Sequence, residues 1–171
     1  SIDLSMPNRV ISKIASFIER AREKGLRIIF IRQGINAFTK AEVSREFMHR
    51  RGWKGIKNKD ELRWNEELCI KPHPKDIIVK KKKYSAFFGT RLSSILKAKK
   101  IKTLVVTGVA TNVCVDTTAR DGFMRNYYIV LPKDCVASYS ETLHKAALEN
   151  LGTNFGYVTN SKKLVNIWGR R

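Results

Sequence analysis

The chain has 171 residues, 43% of them hydrophobic, with 34 lysines and arginines against 15 acidic residues and a formal charge of +19. That length and apolar content support one packed domain over 1–171 and exclude a disordered chain, while charges inside every hydrophobic segment exclude a membrane-spanning helix. Three widely spaced cysteines, Cys69, Cys114 and Cys135, match neither a disulfide framework nor a zinc pattern and predict reduced thiols in a cytoplasmic protein.

Val10, Ile11, Ile14, Phe17, Ile18 and Ala21 recur at helical spacing. An amphipathic helix is therefore expected over 8–24, with Pro7 and Asn8 at its start and Gly25 just past its end. The apolar run 27–32, bounded by charge, reads as a buried strand. Residues 33–75 are polar, basic and broken by glycines and prolines, with a helical stretch near 40–50. Such excursions commonly frame a pocket. A strand follows at 76–80, then a helix capped by Thr90 and running to Lys99, a strand at 103–107 and a tight turn at 108–112. The next elements are a helix at 113–125, a strand at 127–131, a helix after a capping box of Ser138 and Glu141, a strand at 155–158 and a helix at 161–168. This alternation implies a parallel sheet covered on both faces, with ligands beyond the carboxyl ends of its strands.

Two such ends carry reactive side chains. Cys114 falls in the first turn of a helix that follows a strand, where unpaired N–H groups and the helix dipole favour a thiolate and can hold an oxyanion. On position alone, a catalytic and a structural thiol are equally good readings. Cys69 and Cys135 lack that setting and read as packing residues. The second end carries four consecutive lysines, Lys80 to Lys83. A solvated run is the ordinary reading, but at the end of a buried strand at least one should face the ligand crevice, where an ammonium supports a thiolate.

The stretches Tyr84-Ser-Ala-Phe-Phe-Gly-Thr90 and Thr107-Gly-Val-Ala-Thr-Asn-Val-Cys-Val-Asp-Thr-Thr-Ala-Arg-Asp121 resemble the two signature segments of isochorismatase-like cysteine hydrolases. Leu131-Pro-Lys-Asp-Cys-Val-Ala137 and the helix after it are similar as well, and the ureidoacrylate and carbamoyl-amide branch is the nearest in pattern. The resemblance implies a three-layer α/β/α fold of Rossmann-like topology with a mostly parallel sheet. It also implies an Asp–Lys–Cys triad in which cysteine attacks a carbonyl, aspartate shuttles the proton and lysine supports both charges. Cys114 matches the nucleophile. Counting back from Tyr84 places the lysine at Lys81, with Lys80 as the alternative register. A cis peptide at Val109–Ala110 is implied too, aiming the Ala110 N–H at the oxyanion beside that of Cys114. Tyr84, Ser85 and Phe87 are candidates to line the pocket.

The family aspartate ends a first strand in a segment resembling Asp-Met-Gln-Asn-Asp. This sequence opens Ser1-Ile-Asp-Leu-Ser-Met-Pro7, similar to the stretch after that strand. The expectation is that the first central strand is missing from it and that Asp3 is no substitute. The Asp-x-His pattern of nicotinamidase relatives is absent from Arg32-Gln-Gly-Ile-Asn-Ala37, so no metal and no cofactor is expected, and His144 reads as solvent-facing. The function implied is cleavage of a small amide or ureido C–N bond by a homo-oligomeric, cytoplasmic enzyme. The rivals are vinyl ether cleavage of the isochorismatase type and an inactive, basic binding protein. The excess charge reads as a soluble lysine-rich surface; no nucleic-acid-binding motif accompanies it.

Overall fold

The computed structural model describes residues 5–33, 46, 50 and 69–169. Of the helix expected near 40–50, only Glu46 and Arg50 are among the described residues, both helical, and most of the irregular 33–75 region lies outside them. In chain order the elements are α1 (Ser5–Glu23), β1 (Ile29–Gln33), β2 (Ile77–Lys81), α2 (Leu92–Ala98), β3 (Thr103–Val105) and β4 (Gly108–Val109). A π-helical turn (Thr111–Val115) then runs into α3 (Asp116–Met124). β5 (Tyr128–Pro132), a 3-10 turn (Lys133–Cys135), β6 (Val136–Ala137), α4 (Glu141–Asn154), β7 (Tyr157–Thr159) and α5 (Ser161–Trp168) complete it.

Every ladder is parallel: β1 with β2, β3 with β5 and β5 with β7, and the short β4 with β6. Period-two alternation divides the strand side chains between two apolar layers. Ile29, Ile31, Val79, Leu104, Ile129 and Leu131 pack with Leu92, Leu96, Val115, Ala119 and Leu151 of α2, α3, α4 and the π-turn. Their neighbours Phe30, Val105 and Val130 face the other way, onto Val10, Ile14, Phe17 and Ile18 of α1 and Leu164 and Trp168 of α5. Phe17 stacks on Trp168 at 5.3 Å between ring centres, tying those two helices together. The result is the three-layer α/β/α arrangement.

Three helices stop the same way, and the stop feeds a strand. After α1, Gly25 adopts φ 71, its N–H reaches Arg22 O at 2.9 Å and Leu26 N–H reaches Ala21 O at 3.0 Å. That pair of bonds is a Schellman motif, with the left-handed residue just past the helix. Lys100 (φ 52) after α2 and Asn126 (φ 66) after α3 repeat it. In each case the next residue, Leu26, Ile101 or Tyr127, is apolar and leads into the following strand. Glycine and asparagine tolerate this conformation, so two of these stops are legible locally; Lys100 is not.

Two details depart from the sequence reading. α4 is capped by Ser140, whose hydroxyl accepts from Leu143 N–H at 3.4 Å; Ser138 is buried and serves elsewhere. The strand expected at 103–107 is β3 over 103–105, and the tight turn expected from 108 opens with β4, which leaves β3's neighbour β5 and pairs with β6. Gly156 shows how tightly the chain runs before β7: a Cβ there would lie 2.6 Å from the Ile129 carbonyl oxygen. At the start of β2, buried Asp76 binds the Arg22 guanidinium and accepts from His73 N–H at 2.8 Å. Burial alone would push the Asp76 carboxyl up, but the Arg22 and His73 bonds outweigh it and hold it below its ordinary range.

Candidate active site

β2 alternates inward and outward, with Val79 and Lys81 buried and Ile78 and Lys80 exposed. Lys81 therefore enters the layer that holds the π-turn, while Lys80 and Lys82 face solvent. Its ammonium has three N–H bonds and meets three acceptors: Lys83 O at 3.0 Å, Tyr84 O at 3.0 Å and Cys114 Sγ at 3.3 Å. With Lys81 only 6% exposed, that coordination replaces the water a buried charge loses. Of the two lysine registers, the structure places Lys81 beside the sulfur.

Cys114 lies in the π-turn, half-buried. Single π-turns within helices recur at functional sites. Gly108, at φ 116, precedes the Val109–Ala110 peptide, which is cis. The Ala110 carbonyl then accepts from both Val113 and Val115 N–H groups at 3.1 and 3.2 Å. Two contacts from distant elements pin this turn. Thr111 is fully buried and its hydroxyl bonds His144 Nδ1 of α4 at 2.9 Å. Ser138, just beyond β6, donates its hydroxyl to Asn112 Oδ1. His144 is thus partly buried and engaged with the turn, where solvent exposure had been expected, because α4 packs directly on the π-turn.

The segment 84–90 is clasped to α3. Ser85 donates to Asp121 Oδ2 at 2.5 Å, and Arg125 holds the other oxygen of that carboxylate at 2.6 Å. Ala86 N–H donates to Thr118 Oγ1 at 3.0 Å. These bonds hold the end of β2 against the π-turn and so bring Lys81 to Cys114. Ser85 is committed to that clasp, and Phe87, 4% exposed, stacks on Tyr127 in the core. Of the three pocket candidates, Tyr84 is the one left at the surface. Val109 is exposed beside buried Ala110.

The other cysteines differ. Cys69 is exposed rather than packed. Cys135 is fully buried; burial, together with the adjacent Asp134 charge, pushes its thiol from an ordinary value of 9.0 to about 11. Asp3 lies outside the described residues. Among the described residues no cluster of three or more histidines, cysteines or acids is arranged to hold a metal, and no helix is long and apolar enough to cross a membrane. Sequence reading missed Thr118, Asp121, Ser138 and His144 as supports. The signal for the first two was present in the second signature stretch, where a hydroxyl and a carboxylate recur one helical turn apart.

Comparison with known proteins agrees with this geometry. The isochorismatase domain model matches residues 6–163. The chain is 33% identical over 178 residues to a ureidoacrylate amidohydrolase RutB of Acinetobacter baylyi, covering 96% of this chain and 73% of that protein. It is 36% identical over 171 residues to the protein of the same name from an Enterobacter strain, covering 92% and 74%. Among solved structures, an isochorismatase-like hydrolase from Alkaliphilus metalliredigens superposes with a TM-score of 0.78 at 26% identity, covering 95% of this chain and 86% of that one. N-carbamoylsarcosine amidase from Thermoplasma acidophilum gives 0.73 at 27% identity, covering 91% and 84%.

Proposed function

The chain belongs to the isochorismatase domain family, and from that premise we propose that it is a cysteine hydrolase of small amide or ureido C–N bonds, working through an acyl-enzyme on Cys114. One observation carries the reading: the buried Lys81 ammonium 3.3 Å from the Cys114 sulfur. A cation at that distance in a low-dielectric setting stabilises the thiolate, which is the nucleophilic form of the residue.

The sulfur attacks the carbonyl carbon, and the carbonyl oxygen takes the electron pair. Ala110 and Cys114 N–H groups, in the turn beginning at Val109, receive that oxyanion. Collapse expels the amine with a proton and leaves a thioester, which water opens to regenerate the sulfur. Tyr84, at the rim, lines the entrance for the substrate. The two relatives named for ureidoacrylate and the carbamoylsarcosine amidase support ureido and carbamoyl acids as the substrate class. Self-association and a cytoplasmic location belong to the same proposal.

The test is ammonia release from a panel of carbamoyl and ureido acids, by the wild-type chain and by Cys114→Ala. Turnover by the wild type, reduced at least about 10³-fold in the variant, is expected. Turnover that survives the substitution would instead favour chemistry without a thiol nucleophile, as in vinyl ether cleavage.

A further inference from the structure

On β1, the side chains that face the α2–α3 layer are Ile29, Ile31 and then Gln33. The first two extend the core. Gln33 takes the next position on the same face, at the carboxyl end of the strand, and its register partner on β2 is Lys81. Side chains in register on parallel neighbours project to the same face. The Gln33 carboxamide thus stands beside the lysine that reaches Cys114. Its Nε2 is buried and has no hydrogen-bond partner, the one such side-chain atom among the described residues. A buried amide N–H without an acceptor works against folding. An aliphatic residue here would have continued the Ile29–Ile31 row at no such penalty. Local rules broken in this way, at the mouth of a site, mark groups kept for a ligand.

Resting on the hydrolase reading above, we infer that Gln33 is a specificity residue: its Nε2–H donates to a second acceptor on the substrate, an oxygen other than the carbonyl attacked by Cys114. The carbonyl oxygen itself belongs to the π-turn, on a different element from β1. A carboxamide nitrogen can only donate, so the group it recognises is an acceptor, and carboxylate is the acceptor that gains most from a buried donor. The preferred substrates are therefore carbamoyl or ureido compounds that carry a carboxylate near the scissile bond, rather than simple alkylureas.

Two probes separate this from a structural role: N-carbamoylglycine, which has the carboxylate, and N-ethylurea, which lacks it. Each is measured as a substrate and as a protectant of Cys114 against iodoacetamide, a readout that requires binding but no turnover. In Gln33→Met, of similar length without the donor, the N-carbamoylglycine concentration for half protection and its KM are expected to rise about 10- to 100-fold. Values for N-ethylurea and kcat on either probe should stay within about threefold, and the thermal midpoint should hold or rise, since an unpaired buried amide has been removed. Gln33→Glu, which keeps the shape but opposes a carboxylate, should lose more. Equal protection of wild type and variants by N-carbamoylglycine, protection of neither, equal losses on both probes, or failure of both variants to fold would each overturn the inference. Gln33-dependent protection without turnover would leave it standing and sink the hydrolase reading instead. Turnover indifferent to Gln33 would do the reverse.

Discussion

Cys114 and Cys135 each sit in a short helical turn that follows a parallel strand, β4 for one and β5 for the other. One thiol is half-buried with a lysine ammonium at 3.3 Å. The other is fully buried with an aspartate as its chain neighbour, and its thiol is raised to about 11. The same side chain thus meets a cation in one turn and is held neutral in the other. What differs is the sign of the nearest charge and the access of solvent. Asp134 has its own structural task, accepting from Ser161 N–H at 2.8 Å and Ser161 Oγ at 2.6 Å at the start of α5.

The contrast should be widest in alkylation. At pH 7.5, iodoacetamide is expected to modify Cys114 on the order of 100-fold faster than Cys135, read by peptide mass spectrometry. Lys81→Met should narrow that gap about tenfold or more by removing the cation while leaving Cys135 untouched. Equal rates in the wild-type chain would erase the distinction between the two turns.

Cys135 sharpens it from the other side, through stability. Its folded-state value lies above the ordinary one, so between about pH 9 and 11 the folded state keeps a proton that the unfolded state has lost. Stability from this group is full below pH 9 and falls as pH rises, by about 2–3 kcal/mol across that window. Urea unfolding at pH 8 and pH 11 should show a smaller alkaline loss in Cys135→Ala than in the wild type. An identical loss in the two would mean that the buried thiol does not govern it.

The smallest effects separate two serines. Ser140→Ala should lower stability by about 1 kcal/mol through loss of the α4 cap, with turnover unchanged. Ser138→Ala, which frees Asn112 in the π-turn, should slow turnover about tenfold for a similar loss of stability. Reversed outcomes would exchange their roles.

Much of this architecture was readable before any coordinates. The helical face of Val10, Ile14, Phe17, Ile18 and Ala21 is buried as the spacing required, and α5 occupies the residues expected of it. Cys114 and Lys81 were both marked, one by a strand–turn–helix pattern and the other by counting within a signature stretch. The supports were misread in the same region. Ser138, three residues before Glu141, looked like a cap, and Ser85 and Phe87 looked like pocket residues. Local rules weigh a side chain against its near neighbours, whereas Ser138 bonds a partner 26 positions away and Ser85 one 36 positions away.

The sequence by itself determined the alternation of strands and helices, the faces they bury, and the strand-to-helix turn that carries Cys114. Periodicity, turn chemistry and helix ends act over a few residues and leave their mark there. The tertiary structure decided which lysine of four turns inward, which serine holds the π-turn, that His144 faces Thr111, and that Gln33 stands unpaired beside Lys81. Those outcomes depend on which strand lies next to which and on how far a side chain reaches across the sheet, and only packing sets those distances.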